Sequence, residues 1–247
     1  GRRALSCAGS SVLIPTAHRK MKGKLMPSDI YAENHQKDSA DPRDYAHEHA
    51  HGGMSRQAYE DDPKRLCFTL ARYKHVAKLL DGFSRVLEVG CADGFGTRIV
   101  RQHVGALTAI DTDPRSIEEA QLAHSARWPV EFICGDVRDA GLSQEKFDAV
   151  YALDVLEHIT PDEEFLWALA RAAPVAVIGT PSLESQQYAS RLSRLGHVNC
   201  YSGAALRDRL LEFWDQVFVF TMHDEGLGTS YYPMAQYLLA LCVRDRR

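Results

Sequence analysis

Apolar positions in this chain fall into short blocks separated by polar, glycine-containing turns, and the blocks alternate between two periods. Val86, Leu87 and Val89 form a near-continuous apolar run, and so do Ala106 to Asp111, Val130 to Asp136, Phe147 to Leu153 and Pro174 to Thr180. Such runs predict strands buried on both faces of a parallel sheet. Between them the spacing changes to three and four. Leu66, Leu70, Tyr73, Ala77 and Leu80 predict a helix, with Asp62 as its cap, Pro63 at its first position and Gly82 at its end. Its polar face carries Arg72, Lys74 and His75, which this pattern leaves facing water. Further helices are predicted over FGTRIVRQH, from Pro114 to about Ser125, from Pro161 to about Ala172 behind a capping box at Thr160 to Glu163, and from Gly203 to Phe213 behind Ser202. QVFVFTM and AQYLLALCV predict a closing antiparallel pair. The fold class is therefore α/β: a Rossmann-like, mostly parallel seven-stranded sheet with helices on both faces and a C-terminal antiparallel strand pair.

The pattern starts at Pro63, so the expectation is a domain over 63–247 preceded by a largely disordered extension over 1–62. That extension holds His47, His49 and His51, read as a solvated loop because no cysteine or further ligand lies nearby. Its apolar centre, VLI, is too short for a secretory signal. A net charge of −4 and the absence of a Lys/Arg stripe interleaved with aromatics argue against nucleic acid as a partner. Six cysteines without a C-x-x-C pair read as reduced thiols and a cytoplasmic location. No apolar run approaches the roughly 18–20 residues of a membrane span. Oligomeric state is not encoded in these patterns.

The chemistry concentrates where strands end. VLEVGCADGFG (Val86 to Gly96) ends a strand in a glycine turn spaced G-x-x-x-G-x-G, unlike the G-x-G-x-x-G of nicotinamide enzymes. Gly90 and Gly94 lack the Cβ that would hold a ligand off the main chain. Glu88, two residues before Gly90, suits a cationic ligand better than a pyrophosphate. Asp111 closes the next strand, where dinucleotide-binding folds place an acid that accepts from ribose hydroxyls. Asp154, Glu157 and His158 follow the strand Phe147 to Leu153, and His197 lies on the loop leaving the next one.

VLEVGCADGFG resembles the first motif of class I S-adenosylmethionine-dependent methyltransferases, and the resemblance extends over about Pro63 to Val243. It implies S-adenosylmethionine as cofactor, with contacts from Glu88, Gly90, Cys91, Ala92, Gly94, Asp111, Thr112, Asp136, Val137 and Leu153. DVLEHI (Asp154 to Ile159) resembles the small-molecule branch that includes the quinone-biosynthesis O-methyltransferases. More loosely it is similar to the acid-x-x-Glu-His of small-RNA 2′-O-methyltransferases, where these groups ligate a divalent metal. The expectation is methylation of a small molecule, on oxygen, with His158 or His197 as base and no metal assigned. Asp154 either faces the site or caps the short helix behind it, and the loop His223 to Pro233 forms part of the substrate wall. The alternatives are a nicotinamide-dependent oxidoreductase and a cofactor-binding protein without turnover.

Overall fold

The computed structural model describes residues 53–123, 125–139, 147–189, 191–230 and 234–245. His47, His49 and His51 lie outside these residues, as do Tyr231 to Pro233 of the expected substrate wall. Two helices precede the sheet, α1 (Gly53–Asp61) and α2 (Pro63–Leu79). Helix α1 falls within the stretch read as extension. The Asp62 carboxylate accepts the Lys64 N–H at 3.1 Å and Pro63 fills the first turn of α2, so the cap forms as its residues predict.

Next come β1 (Arg85–Val89), α3 (Thr97–Arg101), β2 (Ala106–Asp111), α4 (Pro114–Leu122), β3 (Glu131–Cys134) and β4 (Ala149–Leu153). A 3₁₀ turn at Leu156–His158 leads into α5 (Glu163–Ala172) and β5 (Val175–Pro181). A second 3₁₀ turn (Leu183–Tyr188), α6 (Arg191–Gly196) and α7 (Gly203–Leu210) precede the last strands, β6 (Gln216–His223), β7 (Gly226–Gly228) and β8 (Tyr237–Val243). The sheet has eight strands in the order β3-β2-β1-β4-β5-β8-β6-β7. Strands β1 to β5 pair in parallel, whereas β8 runs antiparallel between β5 and β6.

Eight strands replace the expected seven because Gly226–Gly228 folds back on Thr221 to His223 as a hairpin. Three residues of which two are glycine carry no alternation to read.

Alternate residues of the central strands feed two cores. Leu87, Val89, Val150, Ala152 and Ile178 pack with Leu166 and Leu169 of α5 and Leu206 and Leu210 of α7. Val86, Ala149, Tyr151 and Val177 pack on the other face with Val76 and Ala77 of α2 and with Leu80 at its C-cap. Each fully buried leucine contributes about 1.5–3 kcal/mol, so both layers hold the sheet rigid beneath the site. Strand order reverses between β1 and β4, which places a crevice at the C-terminal ends of those strands.

The capping box at Thr160 to Glu163 does not form. Helix α5 starts at Glu163, and Asp162 makes no side-chain cap. Its carboxylate instead accepts from the Tyr201 hydroxyl and from Arg209, with Nη2 at 2.8 Å, and so ties the start of α5 to α7. A long-range ion pair displaces the local cap. Among the described residues no helix is long and apolar enough to cross a membrane.

Candidate functional site

The glycine turn after β1 is braced by Asp111 at the end of β2. One carboxylate oxygen of Asp111 accepts the Ala92 N–H at 2.9 Å and the other accepts the Asp113 N–H at 2.9 Å. Gly90 and Cys91 donate their N–H groups to the Ile110 carbonyl at 2.8 and 3.2 Å, and Gly94 closes the turn on the Cys91 carbonyl at 2.9 Å. Each Asp111 oxygen still has a lone pair free, so a ribose diol remains within its hydrogen-bonding capacity. Because Asp111 also holds the turn, Asp111→Ala is expected to weaken S-adenosylhomocysteine binding at least about tenfold and also to lower the melting temperature of the ligand-free protein. Calorimetry and a thermal melt on the same sample check both.

Gly90 and Gly94 differ from their sequence reading. Both have positive φ, 79° and 68°, which glycine adopts without strain. Their missing Cβ positions face protein rather than ligand. A methyl on Gly90 would run into Val155, and one on Gly94 would meet the Phe132 ring at 2.9 Å and Ala120 at 3.1 Å. Packing between strands and α4 therefore selects these glycines along with the turn geometry.

Glu88 lies in a buried polar pocket beneath the turn. It is 1% exposed, and burial pushes its carboxyl up to about 7 although the Thr97, Tyr151 and Tyr73 hydroxyls oppose the shift. The Thr97 and Tyr151 hydroxyls lie close enough to Glu88 to oppose its shift, yet neither they nor Glu88 Oε2 makes a hydrogen bond of good geometry among the described residues. One oxygen of the acid and two hydroxyls beside it, all under-satisfied, match a ligand with several donors on a cation, such as the ammonium of an amino-acid moiety. A carboxyl raised from 4.5 to about 7 stabilises the fold fully below pH 4.5, and that contribution is lost as pH rises through 7. The melting temperature of the ligand-free protein should therefore fall between pH 5.5 and 8, and the fall should be shallower in Glu88→Gln. Melts of the two proteins across that window are the check.

The other expected cofactor contacts spread along the same edge. Leu153 ends β4 and is buried, Val137 is part of the core, and Thr112 follows β2. Asp136 follows β3, where hydrogen bonds from the Arg138 side chain hold its carboxyl below the usual range. The guanidinium reaches it at 2.5 Å, so Arg138 must share Asp136 with any ligand.

Beyond β4 the chain assembles its reactive groups. Asp154 has a φ of 55°, and its N–H donates to the Gly179 carbonyl at 3.0 Å and to the Tyr237 hydroxyl at 3.2 Å. It does not cap the 3₁₀ turn. Its carboxylate instead binds Arg72 Nη1 at 2.9 and 2.6 Å, so Arg72 turns inward from the face that the helical pattern left in water. His75 likewise engages the Glu225 carbonyl at 3.0 Å.

Glu157 is buried, with one oxygen accepting the Thr180 hydroxyl at 3.1 Å. Burial and then the nearby Asp154 push its carboxyl up to about 8. Its backbone carbonyl accepts the N–H groups of Val198 and Asn199 at 2.8 and 3.1 Å, which staples the loop carrying His197 against the turn carrying His158. The two imidazoles meet edge to face with centroids 5.1 Å apart. His158 Nδ1 donates to the Gly196 carbonyl and His197 Nδ1 to Gln186 Oε1, both at 2.9 Å. With each Nδ1 carrying its proton, each Nε2 keeps a free lone pair. Burial first, and His158 second, lowers the His197 pKa and keeps that ring neutral at physiological pH. A carboxylate oxygen of Glu157 and one nitrogen from each ring lie within 4.8 Å of one another. The expected pair His158 and His197 is thus brought together. Gln186, Arg72 and Tyr237 complete the surroundings without any signal at short range in the sequence.

This glycine turn, acid-bearing β2 and reactive edge on a Rossmann-like sheet define the methyltransferase fold. Residues 87–173 match the family described as a methyltransferase domain. A mitochondrial ubiquinone biosynthesis O-methyltransferase of Arabidopsis thaliana is 27% identical over 154 residues, which cover 57% of this chain and 47% of that protein. The chain spans about half the length of such relatives. An uncharacterised methyltransferase of Mycobacterium bovis is 28% identical over 57% of this chain and 73% of its own length. The structure of N-methyltransferase NodS from Bradyrhizobium japonicum with S-adenosyl-L-homocysteine has the same fold, with a TM-score of 0.58 at 18% identity over 84% of this chain and all of that one. Over residues 87–173 the chain is thus similar to a methyltransferase domain, and its fold is that of S-adenosylmethionine-dependent methyltransferases.

Proposed function

We propose that this protein methylates a hydroxyl oxygen of a small molecule, using S-adenosylmethionine. The observation that carries the reading is the pair of imidazoles with free Nε2 atoms, held at the same sheet edge as the Glu88 pocket and the glycine turn. The cofactor supplies a methyl group already activated on its sulfonium. What remains for the chain is alignment and the removal of one proton. A neutral amine acceptor attacks through a lone pair without first losing a proton, whereas a hydroxyl needs a base, and the site provides two candidates. His197 is the better placed, being half-buried, neutral and oriented through Gln186. The names of the ubiquinone-biosynthesis relatives support oxygen as the acceptor atom. Glycine spacing and the family match speak against the nicotinamide alternative.

A second reading has its own observation. Glu157, His158 and His197 form a two-nitrogen, one-oxygen donor set, and each histidine is oriented through a carbonyl on its far nitrogen, as metal-binding histidines commonly are. These three residues fit Zn²⁺ or Mn²⁺ better than Mg²⁺, which takes oxygen ligands, and such an ion would lower the pKa of an acceptor hydroxyl. Incubation with methyl-labelled cofactor and fractionated metabolites, before and after exhaustive chelation, tests both readings. Label entering a hydroxylated small molecule supports the proposal, and label entering none contradicts it. Activity that survives chelation leaves the imidazole base; activity lost and restored by one ion makes the cluster a metal centre.

A further inference from the structure

We infer that Arg72 recognises an oxyanion, a carboxylate or phosphate group, on the methyl acceptor. The inference rests on the methyl-transfer reading and deepens it by naming a class of substrate. A guanidinium offers five N–H donors, and its Nε and Nη2 edge is the fork that grips an oxyanion with two parallel hydrogen bonds. In Arg72 both hydrogen bonds leave from Nη1, and both go to Asp154. Nε is buried and has no partner among the described residues. The fork edge is therefore not used by the fold.

The guanidinium is also rigidly placed. It stacks on the Tyr237 ring at 3.8 Å from the centroid, and Tyr237 is itself 2% exposed. Asp154 fixes the opposite edge and is held in left-handed backbone by Gly179 and Tyr237. Two residues beyond Asp154 begins the turn bearing Glu157 and His158, and Arg72 is near enough to Glu157 to oppose its raised pKa. A cation with a preset, unpaired fork thus stands beside the groups that would take the acceptor's proton. If Arg72 served only to hold Asp154, a lysine would do as well and no donor would need to be buried unpaired.

The test is calorimetry on the full chain saturated with S-adenosylhomocysteine, titrated with benzoate, phenyl phosphate and benzamide. Wild type is expected to bind benzoate or phenyl phosphate about tenfold or more tightly than benzamide, and the order of the two anions identifies the oxyanion. Arg72→Lys keeps the charge opposite Asp154 but lacks the fork, so the preference should shrink to within about threefold. Arg72→Met serves as the second variant, with its melt recorded to confirm folding. The same affinity for all three probes in wild type, or a preference that survives in both variants, overturns the inference. Retained S-adenosylhomocysteine binding in that case leaves the methyltransferase reading standing, whereas wild type that fails to bind S-adenosylhomocysteine removes the ground of both.

Discussion

Alanine at position 197 is expected to slow methyl transfer by about 10²–10⁴-fold, the range that a positioned general base contributes, while cofactor affinity stays within about twofold. His197 reaches the site on a loop pinned by Glu157 backbone contacts, and those contacts come from Val198 and Asn199. The loop should therefore keep its place without the imidazole. His158 is exposed and anchored to the Gly196 carbonyl, so its replacement should cost less. Single-turnover rates with labelled cofactor, measured beside S-adenosylhomocysteine affinity, separate the two roles. The pH profile adds a sign. The base must be neutral and the His197 pKa is lowered from 6.5, so the rate should rise through a pKa below 6.5 and level off above it. A wild-type rate that still climbs steeply above neutrality would assign the proton to another group.

The largest effect on folding is expected at Gly94. Alanine there must occupy a φ of 68° and push its methyl into the Phe132 ring, and both neighbours on that side belong to packed elements. Left-handed strain and overpacking each cost about 1–3 kcal/mol. In a chain of this size a loss of about 2–3 kcal/mol lowers the melting temperature by roughly 4–12 °C. A thermal melt of ligand-free Gly94→Ala measures it. An unchanged melt combined with lost cofactor binding would restore the simpler view that the glycine makes room for ligand.

How much of this was legible in the sequence depends on the range of each interaction. Strand β2 runs from Ala106 to Asp111 as its apolar run predicts, and α2 begins behind Asp62 and Pro63, because buried runs and caps are local. The glycine turn after β1 is legible for the same reason. Local pattern misled where a distant partner won. Thr160 and Glu163 carry the spacing of a capping box, yet the helix begins only at Glu163 and Tyr201 and Arg209 take the Asp162 carboxylate at its start. Arg72 lies on a polar helix face, yet it reaches Asp154 across 82 residues of chain. Gly90 and Gly94 read as making room for a ligand, but the atoms that exclude a Cβ, Val155 and Phe132, belong to other elements of the protein. The histidine pair was legible only as two residues at strand ends. Its orientation depends on Gln186 and Gly196 carbonyls that no motif marks.

The pocket formed by Glu88, the glycine turn and Asp111 is expected to accept S-adenosylmethionine. Titrating the protein calorimetrically with S-adenosylhomocysteine and, separately, with NAD tests it most directly. Saturable binding of S-adenosylhomocysteine at one per chain, weakened at least about tenfold in Asp111→Ala and with no heat from NAD, is the predicted result. NAD bound in preference, or S-adenosylhomocysteine not bound at all, would contradict it.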